Sequence, residues 1–111
     1  MKGAKKYMQP KDQVMNAIHD LAELQKAKTL SCDSPRGTVL LRVTMYASEW
    51  EYRFDARDIG ANMCEVTIGL AGETQDAKRL IGHEFALLDY ALKDRARIDL
   101  EEIEGEAVGM A

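Results

Sequence analysis

Along this chain of 111 residues the apolar positions recur first with a helical period, then every second residue, then with a helical period again. Pro10 suits the first turn of a helix, where its missing N–H costs nothing. From there Val14, Ala17, Ile18, Leu21, Leu24 and Ala27 return every three or four residues, with Asp12, Asn16, Asp20 and Glu23 on other faces. That spacing predicts an amphipathic helix over 10–28. SCDSPRG (31–37) is turn chemistry throughout, with Asp33, Pro35 and Gly37 suited to a tight reversal. Three alternating runs follow. TVLLRVTMY places Val39, Leu41, Val43 and Met45 on one face; SEWEYRFDAR places Trp50, Tyr52 and Phe54 there; MCEVTIGL adds Cys64, Val66, Ile68 and Leu70. Ala47-Ser48 and RDIGAN leave room only for short reversals between them, so the runs should form an antiparallel meander. Thr74 or Glu73 can cap a second helix from Gln75 to about Arg95, with Ala77, Leu80, Ile81, Phe85, Leu88, Ala91 and Leu92 as its apolar stripe. Leu87 and Tyr90 widen that stripe beyond a single seam.

The expectation is an α+β domain of order α-β-β-β-α: a three-stranded antiparallel meander with two helices packed on one face. Helices must cover the sheet, because three strands cannot bury that much apolar surface alone. Residues 1–9 (MKGAKKYMQ) show no period and read as a flexible basic N-terminal arm. Residues 10–97 make the single αβββα domain, and 98–111 an acidic C-terminal tail holding Asp99, Glu101, Glu102, Glu104 and Glu106.

Composition narrows the classes. A net charge of −4 argues against a general nucleic-acid or anionic-membrane binder, both of which need a basic field. The apolar runs are too short for a membrane-spanning helix. Two cysteines do not make a disulfide framework and no secretory segment is evident, so a cytoplasmic protein is expected. His19 and His83 each lie on a predicted helix; Cys32 lies in a predicted loop and Cys64 on the core face of a strand, where a free cysteine acts as a small hydrophobe. These four lack the close paired spacing of a zinc site, and no phosphate-binding glycine loop is present. We therefore expect no enzymatic chemistry, no metal and no cofactor.

The α-β-β-β-α order is shared with double-stranded-RNA-binding domains, whose last helix opens with a basic cluster. Here GETQDAKRL sets Glu73 and Asp76 against Lys78 and Arg79, so no nucleic-acid partner is expected. A second resemblance reaches further. The run from Val14 to Leu92 — a helix, CDSPRGTVLLRV, EWEYRFDA, MCEVTIGL and a long closing helix — resembles small bacterial helix–three-strand–helix domains. More remotely it resembles the sheet and closing helix of the START/Bet v 1-like helix-grip fold, which has more strands and a second short helix.

Two functions follow. The first is protein–protein interaction or self-association, as a homo-oligomer, through the sheet face opposite the helices, an edge strand or the wide apolar stripe of the second helix. Leu40, Tyr46 and Met63 are the apolar points of that sheet face, and Arg42 and Arg53 lie among carboxylates there. The alternative is a small apolar ligand held between helices and sheet by Met45, Trp50, Tyr52, Phe54 and Phe85.

Overall fold

The computed structural model describes residues 1–72 and 74–110, with side chains for 1–72 and 74–93. The expected acidic tail over 98–111 therefore lies outside the described side chains. The element order is β1 (Lys2–Tyr7), α1 (Lys11–Leu24), β2 (Lys28–Asp33), β3 (Thr38–Met45), β4 (Ser48–Gly60), β5 (Met63–Leu70) and α2 (Ala77–Met110). The strands form one five-stranded antiparallel sheet in the order β1-β5-β4-β3-β2.

The three-stranded α-β-β-β-α meander is thus overturned: β3, β4 and β5 are its three strands, and one strand is added at each edge. The first nine residues are no loose arm, because Lys2–Tyr7 pair along β5 from Lys2 opposite Gly69 to Tyr7 opposite Cys64. The expected turn over 31–37 is likewise half strand, since Lys28–Asp33 pairs with β3. Both strands escape a reading by apolar alternation for a physical reason. An edge strand bonds to one neighbour only, and these two leave most side chains in solvent: all six of β2 are exposed, and only Tyr7 of β1 is buried. With five strands, the likeness in element order to double-stranded-RNA-binding domains also lapses.

Helix α1 stops four residues before the expected end. Lys26 takes a left-handed backbone (φ 54), its N–H bonding the Glu23 carbonyl while the Ala27 N–H bonds that of Ala22. This is the glycine-type helix closure performed by a lysine, which is why no glycine marks it in the sequence. Gly37, in contrast, is demanded by its turn. Its φ is 79, and a Cβ there would stand 2.2 Å from the Ala56 carbonyl oxygen. The β3–β4 reversal uses Tyr46 and Ala47, both at positive φ (56 and 60), the geometry of a two-residue hairpin turn without its usual Asn-Gly.

Both helices cover the same sheet face. Val39, Leu41, Val43, Tyr52, Phe54, Cys64, Val66, Ile68 and Leu70 are buried beneath them, as the alternation predicts, and Met45 and Trp50 are half-buried. From the helices come Val14, Ile18 and Leu21 of α1 and Leu80, Ile81 and Leu88 of α2. Helix α2 also secures β1. Ile81 and Phe85 pack over Gly3, while Asp89 accepts hydrogen bonds from Lys5 Nζ (2.5 Å) and Tyr7 Oη (2.7 Å). A charged residue on this strand thus faces the helix, which further hides the strand from a hydrophobicity pattern.

Candidate functional site

The register orders the helix-facing side chains into rows across the sheet. Gly3, Ile68, Phe54 and Val39 stand side by side; Leu70, Tyr52 and Leu41 form the next row; Trp50 and Val43 form the one beyond, toward the β3–β4 turn. Side chains two residues apart on one strand face are separated by about 7 Å. The rows therefore grade from a closed aromatic interior to a half-buried rim.

The middle row holds the most unusual chemistry of the molecule. Glu84 of α2 is 0 % exposed and Tyr52 of β4 only 1 %, both inside the apolar layer. Gln25, just past the end of α1, donates from Nε2 to Glu84 Oε1 at 2.8 Å. Among the described residues, Gln25 Oε1, Tyr52 Oη and Glu84 Oε2 are buried with no hydrogen-bond partner. Burial pushes the Glu84 carboxyl up to about 7, against which the Gln25 hydrogen bond acts only in part. Burial, and then the nearby Glu84 charge, raises the Tyr52 phenol as well. An unpaired buried polar group costs about 1–3 kcal/mol. The three come from three different segments: the end of α1, β4 and α2.

Glu84 was not singled out from the sequence, although a signal existed. It occupies a position of the α2 stripe, four residues after Leu80 and four before Leu88, where the helical period calls for an apolar side chain. Gln25 gave no such signal, because it sits beyond the helix end that Lys26 creates.

The candidate pocket residues fall into three places. Tyr52 and Phe54 are buried together, ring centroids 6.4 Å apart and tilted by 54°. Met45 and Trp50 form the half-buried rim, where Trp50 Nε1 donates to the Met45 carbonyl at 3.1 Å. Phe85 lies against Gly3, in the same row as Phe54 but at the β1 edge.

The candidate interaction residues are more widely divided. Leu40, Arg42 and Arg53 belong to the outer sheet face, where Arg42 pairs with Glu51 (2.9 Å) across β3–β4 and Arg53 with Asp55 (3.0 Å) along β4. Leu40 and Arg53 line a shallow outer groove of about 310 Å³ with Lys2, Leu30, Thr67 and Gly69. Tyr46 is 69 % exposed in the β3–β4 turn, 5.3 Å beneath the Arg79 guanidinium. Met63 opens β5 at the other end of β4, pairing with Gly60.

Cys32 is exposed on β2, its Sγ 3.9 Å from His19 Nε2 and 3.7 Å from Ser34 Oγ, beside an open cleft under the β2–β3 turn that His19, Met15 and Pro35 line. Cys64 is buried, and burial raises its thiol above the ordinary range. Among the described residues, no group of three or more His, Cys, Asp or Glu side chains is placed to hold a metal ion. Among them, too, no helix is long and apolar enough to cross a membrane.

No protein-family model matches the sequence, and no curated protein matches it by sequence. Among solved structures, CalU16 from Micromonospora echinospora is similar over 96 % of this chain and 85 % of its own, with a TM-score of 0.57 at 15 % identity. That likeness is one of fold. With two helices on one face of a continuous antiparallel sheet and the long one at the end, the chain bears a remote resemblance to the helix-grip fold. Weaker superpositions are with a START superfamily protein from Mycobacterium smegmatis (TM-score 0.48, 12 % identity, 86 % of this chain and 94 % of the other) and with the di-domain ARO/CYC StfQ from the steffimycin biosynthetic pathway. StfQ has a TM-score of 0.46 at 15 % identity, covering 91 % of this chain and 46 % of its own.

Proposed function

We propose that this protein binds a small, largely apolar molecule in the layer between α1, α2 and the sheet. The observation that carries the reading is the set of three buried polar atoms — Gln25 Oε1, Tyr52 Oη and Glu84 Oε2 — without protein partners. A ligand supplying the missing hydrogen bonds recovers part of their desolvation cost, whereas a well-packed apolar core would gain nothing from having them. Trp50, one row outward, and Met45, two rows outward, are both half-buried and supply an apolar rim that can yield to admit it. Tyr52 and Phe54 supply the aromatic wall. Concave, mainly apolar sites with a few convergent polar groups are the usual form of small-molecule sites.

Association through Leu40, Arg42, Tyr46, Arg53 and Met63, placed first from the sequence, is supported less well. Those residues are divided among the outer face, a turn tip and the opposite turn. Its remaining support is the exposed edge of β2, and a mass that rises with concentration in light scattering would restore it.

The test of ligand binding uses Trp50, the single tryptophan. Its emission is followed while the full chain is titrated with a panel of fatty acids, sterols, flavins and fused aromatic compounds. A saturable change with at least one class, weakened in Tyr52→Phe, is expected. Unchanged emission together with an unchanged melting temperature across the panel would sink the reading.

A further inference from the structure

The polarity of the three unpartnered atoms says what kind of head group would satisfy them; the argument rests on the ligand reading above. Gln25 spends an amide N–H on Glu84 Oε1, which leaves its carbonyl oxygen, an acceptor, without a partner. Glu84 Oε2 is the second free oxygen and, when ionised, can only accept. Tyr52 Oη keeps its proton, so it can donate one hydrogen bond and accept others through its lone pairs. No described lysine or arginine forms an ion pair with Glu84; among the described residues the Gln25 amide is the group that hydrogen-bonds its carboxylate.

We propose that the ligand is an amine on an apolar body, its primary ammonium donating hydrogen bonds to Glu84 Oε2, Gln25 Oε1 and Tyr52 Oη. Competing head groups fit less well. A carboxylate or a ketone can accept from the Tyr52 hydroxyl but brings no donor for Gln25 Oε1 or ionised Glu84 Oε2, the carboxylate also places a second negative charge beside Glu84, and a hydroxyl brings one donor for those two acceptors. A plain hydrocarbon leaves all three oxygens unsatisfied. The ammonium brings three donors and the charge opposite to that of Glu84, and charge-assisted hydrogen bonds of this kind are about twice as strong as neutral ones. The apolar body would extend from this cluster toward Trp50 and Met45, the direction in which the row structure opens.

The experiment is isothermal titration calorimetry on the full chain near pH 8 with four probes of one shape: naphthylmethylamine, naphthalenemethanol, naphthoate and methylnaphthalene. The amine is expected to bind more tightly than the alcohol, and at least about tenfold more tightly than the carboxylate, the scale of one charge-assisted contact. Glu84→Gln, with folding checked by circular dichroism, should bring the amine to the level of the alcohol while leaving methylnaphthalene little changed. Tyr52→Phe, which removes one acceptor and keeps the ring, should weaken the amine more than the hydrocarbon. Binding of all four probes with no preference for the amine, or a preference that survives Glu84→Gln, overturns the ammonium assignment and leaves the ligand reading standing. No heat from any probe overturns both.

Discussion

Replacing Glu84 by glutamine should make the protein more stable at alkaline pH, which is an unusual outcome for altering a fully buried side chain. The carboxyl rises from 4.5 in the unfolded reference to about 7 in the fold, chiefly because burial penalises its charge. Between those values the folded chain keeps a proton that the unfolded chain has already released, so stability falls as pH rises. At about 1.4 kcal/mol per pKa unit the loss is nil below the unfolded value, grows through the window, and reaches about 3 kcal/mol above pH 7. Glutamine has the same shape, can still accept from Gln25 Nε2 and carries no charge at any pH. Urea unfolding of both proteins near pH 5 and pH 8, followed by Trp50 emission, isolates the effect, because the other titrating groups cancel in the comparison. The advantage of the variant should grow by about 2 kcal/mol from the lower pH to the higher. With an m-value of about 1.5 kcal/mol per molar, that is a midpoint shift of more than about 1 M urea. A stability difference that stays constant with pH, or that is larger near pH 5, would refute the reasoning.

Three further outcomes test the frame around the site. Ala47→Gly should stabilise the protein by about 0.5–1 kcal/mol in chemical denaturation, since Ala47 holds a left-handed backbone that glycine adopts without strain; a destabilised variant would contradict the turn assignment. Gly37→Ala should cost at least about 2 kcal/mol, because φ is 79 and the new methyl would stand 2.2 Å from the Ala56 carbonyl oxygen; a thermal melt like that of the parent would argue against this turn. Asp89→Asn removes the charge that Lys5 and Tyr7 hydrogen-bond, and should cost about 1.5 kcal/mol while speeding amide exchange along β1; exchange unchanged there would mean that α2 does not hold the strand.

How far the sequence discloses this molecule depends on what each position packs against. Val39 to Met45, Trp50 to Phe54 and Cys64 to Leu70 alternate cleanly because one side chain in two is buried under helices, and burial is what periodicity records. Lys5 and Tyr7 also point at a helix, but they meet Asp89 there, so a polar contact replaced the apolar mark and β1 read as an arm. β2 buries nothing, and its pairing with β3 runs through backbone groups that every residue possesses. Of the site, the aromatic wall of Tyr52 and Phe54 was legible and the polar cluster was not. Glu84 looked like one charge among nineteen acidic residues until its place between Leu80 and Leu88 was seen to face inward.

The pairing of β1 with β5 also sets the order in which this protein can be completed. Lys2 reaches its partner Gly69 only after the first helix and the strands through β5 have been made, so Lys2–Tyr7 stays unpaired until then. Closing that long loop carries an entropic cost that grows with the logarithm of its length, and sheets joined by distant pairs fold slowly. Until β5 arrives, β4 lacks one neighbour and α1 lacks part of its floor. The nascent chain then exposes a strand edge that another copy could capture; β5 covers that edge of β4, and Lys2–Tyr7 in turn covers the outer edge of β5.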